Sequence, residues 1–280
     1  MMNAPMPRFA PPKLMIRSLA VAACALVAAC SSGEEELPYV ERPAGTIFGE
    51  ANAAMQAERY KEAARLFDEV ERQHPYSTEA TRAQLRAAFA HYQNQKYDDA
   101  ILALDRFIQL HPGHPDVAYA YYMRAICYYE QITDVKRDQR MTRQSLEALQ
   151  EVVRRFPDSQ YARDAKLKID LTVDHLAGKE MEIGRYYLKQ GQYSAAVGRF
   201  RNVVEQYQTT SHVPEALHRL VECYLALGVK DEARAAAAVL GHNYPGSDWY
   251  IDSYALLEDA GLRPAGDKKS WINRAWNSLF

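Results

Sequence analysis

Two stretches of this 280-residue chain repeat each other: ERYKEAARLFDEVERQHP (58–75) and QKYDDAILALDRFIQLHP (95–112). Counting from the tyrosine of each, alanine follows at offset +3, large apolar residues at +7 and +10, and a His-Pro pair at +14 and +15. Offsets of 3, 7, 10 and 14 place residues along one face of an α-helix. Proline lacks an N–H and disfavours helix at the preceding residue. Each stretch therefore predicts an amphipathic helix that ends just before its proline.

The same frame recurs three more times, starting at Thr142, Tyr193 and Lys230, with Gln208 in place of proline in the fourth copy. A second amphipathic segment precedes each frame, as in 78–94 and 213–227. Each unit is then a helix–turn–helix that cannot bury its apolar face alone, so neighbours must stack. We therefore predict an all-α fold, a tetratricopeptide-type α-solenoid of about five helical hairpins.

The frames start 37, 45, 51 and 37 residues apart, against a tetratricopeptide period of about 34. We assign the extra length of the 45-residue spacing to the polar stretch Thr133–Arg140. The 51-residue spacing exceeds the 37-residue spacing by fourteen residues, which equals about four helical turns and keeps an apolar face in phase. It predicts one long helix over Gln160–Lys189, with a break near Gly178 as the alternative. Its expected apolar face carries Leu167, Leu171, Met181 and Tyr186–Tyr187.

The N-terminus is typical of a lipoprotein signal peptide. Arg8, Lys13 and Arg17 precede an apolar run over 18–29, which is too short to span a bilayer. The run ends in Val-Ala-Ala-Cys30, which resembles the bacterial lipobox, whose cysteine is lipidated and becomes the new N-terminus. A second match ends at Cys24, but it would leave only six apolar residues after Arg17. We predict a signal peptide over 1–29 and lipidation of Cys30.

The residue after the lipidated cysteine is Ser31, not the aspartate that tends to retain lipoproteins in the inner membrane. The resemblance therefore implies an anchor in the outer membrane, where several acyl chains on one cysteine hold stably. Residues 30–45 are predicted to form the lipidated cysteine and a flexible tether. Cys127 and Cys223 remain in the mature chain, and we favour two buried free thiols over a disulfide.

Charge and motifs exclude several classes of function. The net charge is -2, and removal of residues 1–29 leaves 31 basic against 36 acidic residues, whereas a nucleic-acid binder would be strongly basic. The sequence contains no HExxH, Gly-rich phosphate loop, GxSxG or CxxC. His111 and His114 lie in the loop HPGHP, where turn chemistry accounts for them. We predict no enzymatic activity, no metal, and no cofactor apart from the covalent lipid.

Four segments carry a family resemblance. They are RAAFAHYQNQKYDDAILALDRFIQLHPGHPDVAYAYYMRA (86–125), VKRDQ (135–139), RYYLKQGQYSAAVGRF (185–200) and NYPGSDWY (243–250). Together with the lipobox and five units, they resemble the BamD family, lipoprotein subunits of the β-barrel assembly machinery, over about residues 30–255. The resemblance implies a scaffold on the periplasmic face of the outer membrane.

The resemblance also implies partners. In this family the C-terminal units dock a POTRA domain of the BamA-type barrel subunit, and the N-terminal units form a groove for unfolded outer membrane proteins. Other lipoproteins of the complex are implied as well. We accordingly divide the chain into N-terminal units 1–3 (46–158), C-terminal units 4–5 (159–260) and an amphipathic tail (261–280) that lies outside the family match.

Candidate contact residues lie on or beside the first helices of units two and three, which line the concave surface of such solenoids. Tyrosines there could stack on client side chains, while Arg and Asn could bond to client carbonyls. Ordinary packing between helices is the alternative for the tyrosines. The predicted set is Tyr92, Asn94, Tyr119, Tyr122 and Arg124.

Two further arginines are candidates on other surfaces. Arg137 lies in the unit-three insertion, where a solvated loop is the alternative. Arg199 matches an arginine of the family's fourth-unit segment, so it is a candidate for pairing with a carboxylate of the barrel subunit. An ordinary surface arginine is the alternative for Arg199.

The tail SWINRAWNSLF is predicted to be an amphipathic helix with one apolar face and a basic edge. It suits docking onto a partner, lying on a lipid surface, or capping the solenoid. The apolar face carries Trp271, Ile272, Ala275, Trp276 and Leu279, and the basic edge Lys268, Lys269 and Arg274.

Two other functions are compatible with parts of this pattern. A different tetratricopeptide lipoprotein, acting in cell-wall or pilus assembly, would usually have regular spacing without the long fourth-unit insertion. A peptidoglycan-acting enzyme with a repeat platform would need a separate catalytic domain, and no stretch of the chain is left to form one.

Replacing Cys30 by serine is expected to abolish incorporation of labelled palmitate and release the protein from membranes, because the acylated thiol is lost. Metabolic labelling followed by membrane fractionation measures both effects. The matched control Cys24→Ser should retain the label, and the reverse pattern would place cleavage at Cys24.

Overall fold

The computed structural model describes residues 41–265 and 270–272, and over these the fold is all-α, as predicted. In chain order the helices of units one to three are α1 (Ala44–Gln56), α2 (Tyr60–Gln73), α3 (Thr78–Gln93), α4 (Tyr97–Leu110), α5 (Val117–Tyr129) and α6 (Arg140–Arg155). They are followed by α7 (Gln160–Lys189), α8 (Tyr193–Gln206), α9 (Val213–Ala226), α10 (Lys230–Asn243) and α11 (Asp248–Asp259). The predicted signal peptide 1–29, Cys30 and most of the tether lie outside the described residues.

Consecutive helices pack against each other, so the chain forms five hairpins, α1–α2 to α9–α10, and α11 packs on both α9 and α10. The first helix of one unit also contacts the first helix of the next, as α1 does with α3 and α5 with α7. This sequential packing is what a stack of tetratricopeptide units requires.

The repeat frame forms the core. Its +3, +7 and +10 residues are almost completely buried in every unit, as with Ala63, Phe67 and Val70 in unit one. The five helices end at the residue before offset +14, and the +14 residues have φ values between -134° and -130°. With ψ values between 42° and 59° these residues lie outside the helical region, which a following proline disfavours, and Tyr207 adopts the same conformation before Gln208.

Short signals position the remaining helix ends. Ser77, Ser159 and Ser247 each lie two residues after a proline, and each hydroxyl accepts a hydrogen bond from a backbone N–H three residues later, which caps the helix. In four of the five hairpins, all but that of unit three, the residue two before the frame has positive φ. It is glycine in two of these turns, Gly191 and Gly228, as that conformation favours.

The fourth unit begins with one uninterrupted helix, α7, over Gln160–Lys189, as predicted. The prediction of its apolar face was wrong for Leu167, Leu171 and Tyr186, which are 66%, 60% and 62% exposed. The buried positions are mostly small, such as Ala162, Ala165 and Gly184. The buried face changes direction along the helix because its first half packs on unit three and its second half on units four and five.

The two insertions of the sequence lie against each other. The loop between α5 and α6 covers α7 at Gly178, where an added Cβ would be 3.5 Å from Cγ1 of Val135. Lys179 donates from Nζ to the carbonyl of Lys136 at 3.0 Å. Inside the loop, the buried amide of Gln139 donates to three backbone carbonyls. These contacts fix the position of the inserted loop on α7.

Both cysteines of the repeat body are buried free thiols, as favoured above. Burial raises the pKa of Cys127 and of Cys223 to about 12. Each thiol therefore stays protonated at neutral pH and behaves as a small apolar side chain.

The described part of the tail packs onto units four and five. Trp271 and Ile272 are buried in the core cluster that contains α9 and α10. This matches the capping alternative for these two residues. Ala275, Trp276, Leu279 and the basic edge at Lys268, Lys269 and Arg274 lie outside the described residues.

Substituting Gly184 by alanine is expected to lower the free energy of unfolding by about 1–3 kcal/mol. Its Cβ would collide with the ring of Phe200, which is fully buried and cannot move aside. The control Gly198→Ala has no heavy atom within 4 Å of the new Cβ, so it should stabilise the protein by up to about 1 kcal/mol through helix propensity. Urea denaturation measures both, and equal stability of the two variants would contradict the close packing.

Candidate functional site

A groove on the inner face of units two to four is built from first helices. Its volume is about 430 Å³. Helix α3 supplies one wall, α5 and the loop before it the other, and the start of α7 closes the end. The lining residues are Arg82, Leu85, Arg86, Phe89, His114, Asp116, Tyr119 and Tyr161. We call this the inner groove.

Aromatic rings form its apolar surface. Tyr161 joins two of the predicted tyrosines, with ring centroids 5.8 Å from Tyr119 and 5.3 Å from Tyr122. A second row places Tyr92 between Phe89 and Tyr97, at 6.3 and 5.8 Å. The rings are half-buried, so each combines packing between helices with a face or edge open to solvent. Packing between helices, the alternative given for the tyrosines, is therefore observed, and part of each ring is also accessible.

The phenol groups of Tyr119, which lines the inner groove, and of Tyr122, which stacks on Tyr161 beside it, remain protonated at neutral pH. Burial raises the pKa of Tyr119 to about 12. Burial and the hydrogen bond to Asp164, 2.5 Å long, also raise the pKa of Tyr122. Within the described residues the hydroxyl of Tyr119 forms no hydrogen bond, so it is available to a ligand. The groove thus offers aromatic surface and hydroxyl donors, flanked by the guanidinium of Arg86.

Asn94 follows the last residue of α3 and its backbone N–H closes the helix on the carbonyl of Ala90. Its side chain is partly exposed beside the turn that leads to α4. The structure thus places Asn94 at the end of the helix that carries Tyr92.

Arg124 lies on a different side of α5 from Tyr122, because two residues correspond to about 200° around a helix. Its guanidinium donates to Asp105 at 2.8 Å and to Glu151 at 2.6 Å. The side chain is 18% exposed and lies over the ring of Tyr121. Arg124 therefore ties α4, α5 and α6 together, and the structure does not bring it to the predicted tyrosines.

The two other arginines are more accessible. Arg137 is exposed on the loop that Gln139 fixes against α7, and within the described residues its side chain has no ion-pair partner. Arg199 is 43% exposed and pairs with Glu180 of α7 at 3.2 Å. It borders a shallow surface with Gly198, Arg201, Asn202 and Glu205.

Sequence reasoning missed Tyr161, Phe89 and Arg86. All three lie on first helices. The rule that selected Tyr92 on α3 admits Phe89 and Arg86 as well, and it would have found Tyr161 if it had been extended to α7. Elsewhere, no helix within 41–265 or 270–272 is long and apolar enough to cross a membrane. Over the same ranges, no three His, Cys, Asp or Glu side chains form a group that could hold a metal ion.

Replacing Arg124 by glutamine is expected to lower the free energy of unfolding by about 1.5–3 kcal/mol, because two charge-assisted hydrogen bonds are lost and two carboxylates lose their cation. Urea denaturation is the measurement. The control Arg137→Gln should change stability by less than about 0.5 kcal/mol. An unchanged Arg124→Gln protein would show that the network does not support the fold.

Comparisons with known proteins identify the family of the chain. The family model YfiO, described as an outer membrane lipoprotein, matches residues 40–240. The outer membrane protein assembly factor BamD of Caulobacter vibrioides is 51% identical over 91% of this chain and 83% of its own length. The protein of the same description from Rickettsia prowazekii is 44% identical over 82% of this chain and 91% of its own.

Among solved structures, a thermophilic TPR protein of Thermus thermophilus is 20% identical, with a TM-score of 0.36. That match covers 77% of this chain and 100% of the other. The family model matches all five hairpins except the last residues of α10. Each relative matches most of this chain over most of its own length. The chain therefore belongs to the YfiO family of outer membrane lipoproteins, a non-enzymatic family whose members include the BamD assembly factors.

Proposed function

We propose that this protein is a non-enzymatic outer membrane lipoprotein subunit of the β-barrel assembly complex. It scaffolds the BamA-type barrel subunit and helps bind and insert β-barrel outer membrane proteins. The observation that carries the proposal is the 51% identity to an outer membrane protein assembly factor over 91% of the chain. An identity of this extent includes the insertions as well as the repeat frame.

The inner groove supports the client-binding part of the proposal. An unfolded β-barrel segment is extended, alternates aromatic with polar side chains, and has unpaired backbone carbonyls. Tyr119, Tyr122 and Tyr161 offer ring surfaces for its aromatic residues. The free hydroxyl of Tyr119 and the guanidinium of Arg86 can donate to its carbonyls. Such contacts are weak one by one, which suits a client that must be released.

Arg199 supports the scaffold part. In the free chain it is held by Glu180, and the pair is partly exposed. A carboxylate of the barrel subunit's POTRA domain can replace or share this cation with little change of the fold. Arginine suits this role because its planar guanidinium can bond to two carboxylate oxygens at once. The lipid on Cys30 would hold the assembly at the periplasmic face of the outer membrane.

Photo-crosslinking in native membranes tests both surfaces. A photoreactive residue at Tyr122 is expected to capture nascent outer membrane proteins, and one at Arg199 the barrel subunit. Tyr76, which is fully exposed and lies outside both surfaces, is the control position and should capture neither. Mass spectrometry of the captured bands identifies the partners.

Recovery of cell-wall or pilus proteins from both positions would assign the chain to another class of lipoprotein adaptor. Capture of barrel subunit by position 122 and of clients by position 199 would keep the assembly function and reverse the two surfaces.

A further inference from the structure

The chain's own tail shows how a short segment binds the outer side of a hairpin. The indole Nε1 of Trp271 donates to the hydroxyl of Tyr224 on α9 at 2.9 Å. The hydroxyl of Ser270 donates to Glu232 of α10 at 2.6 Å. The guanidinium of Arg201 on α8 covers the indole ring, 4.3 Å from its centroid, a stabilising cation–π contact. Ser270 and Trp271 thus use three helices at once.

The groove that the tail fills is a repeated feature of the solenoid. Ala235, at offset +5 of the fifth frame, is fully buried. At the same offset, Arg65, Leu102, Glu147 and Gly198 are all exposed. The outer groove is therefore closed in unit five and open in the units before it.

Unit three has hydrogen-bond acceptors at the positions of two of the three groups that bind the tail in unit five. Helices α5 and α9 align from Val117 and Val213, which places Tyr128 at the position of Tyr224. Gln144 and Glu232 both lie at offset +2 of their frames. Tyr128 and Gln144 line one open groove of about 460 Å³ together with Arg124, Ala148, Glu151 and Arg154.

Two acceptors of this groove are unused within the described residues. The Oε1 atom of Gln144 is buried and has no hydrogen-bond partner, and the hydroxyl of Tyr128 forms no hydrogen bond there either. A buried acceptor without a partner is destabilising, so a ligand that donates to it gains affinity. Asp105 stands at the position of Arg201, both at offset +8 of the preceding unit's frame. Arg154 on α6 is exposed at the same groove and supplies a guanidinium for an aromatic face from another position.

We propose that the outer groove of unit three binds an extended segment of a partner protein in which a hydroxyl residue is followed directly by tryptophan. The indole N–H donates to the hydroxyl of Tyr128, and the hydroxyl of the preceding residue donates to Oε1 of Gln144. The occupant belongs to another chain because this chain's own Ser270 and Trp271 are bound in unit five. The inference does not depend on the assembly function.

The test uses a labelled peptide of sequence GDKKSWINR, that of residues 266–274, titrated with the mature lipoprotein in detergent. Fluorescence anisotropy gives the Kd. Tyr128→Phe and Gln144→Leu each remove one acceptor and are expected to weaken binding about fivefold. The control Tyr76→Phe removes a fully exposed hydroxyl elsewhere and should leave the Kd unchanged. A peptide with alanine in place of tryptophan should bind at least about tenfold more weakly.

The competing outcome is that the peptide displaces Ser270 and Trp271 of the chain's own tail from unit five and binds there. In that case Tyr224→Phe would change the Kd while Tyr128→Phe and Gln144→Leu would not, and the proposal would be overturned. The absence of saturable binding up to about 1 mM would overturn it as well. Tyr128→Phe keeps the ring and its packing, so circular dichroism and the melting temperature should match the wild type and exclude misfolding as the cause.

Discussion

The close approach of helices at the +3 residue of each frame is the constraint on which this structure depends. That residue is alanine in four units and Ser145 in the third, and it is fully buried in all five. A larger side chain would separate the hairpin's second helix from its neighbours and uncover the +7 and +10 residues. Ser145 shows that the size of the side chain matters more than its polarity at this position, since its buried hydroxyl has no hydrogen-bond partner. Stacking then transmits the same geometry from unit to unit.

Departures from the regular repeat contribute to both candidate contact surfaces. Val135 of the loop before α6 packs on Gly178 in the lengthened helix α7, so the two insertions support each other. The loop presents Arg137 from a fixed support, and the lengthened helix carries Tyr161 at one end and Glu180, the partner of Arg199, near the other. One long helix thus connects the inner groove to the surface around Arg199.

Charged groups in this fold have two distinct roles. Arg124 is held by carboxylates from two other helices and is mostly buried, so it contributes to the stacking of units two and three. Arg199 has one intramolecular partner and remains 43% exposed. The difference lies in desolvation. The guanidinium of Arg124 is already enclosed by two carboxylates and cannot bind a further one without breaking these contacts, whereas the half-exposed guanidinium of Arg199 can exchange its partner at a small cost in free energy.

Local sequence patterns are enough to predict the helices and their ends. The repeat helices follow from the periodicity at +3, +7 and +10 and from the prolines, and the whole of α7 follows from the fourteen extra residues of the 51-residue spacing. Which helix faces meet depends on tertiary packing. That packing leaves Leu167 and Leu171 exposed, turns Arg124 away from the predicted tyrosines and brings Tyr161 to them. It also places Trp271 in the groove of unit five. Those contacts join residues of different helices, and they depend on how each unit is rotated against the next, a quantity that no single helix encodes.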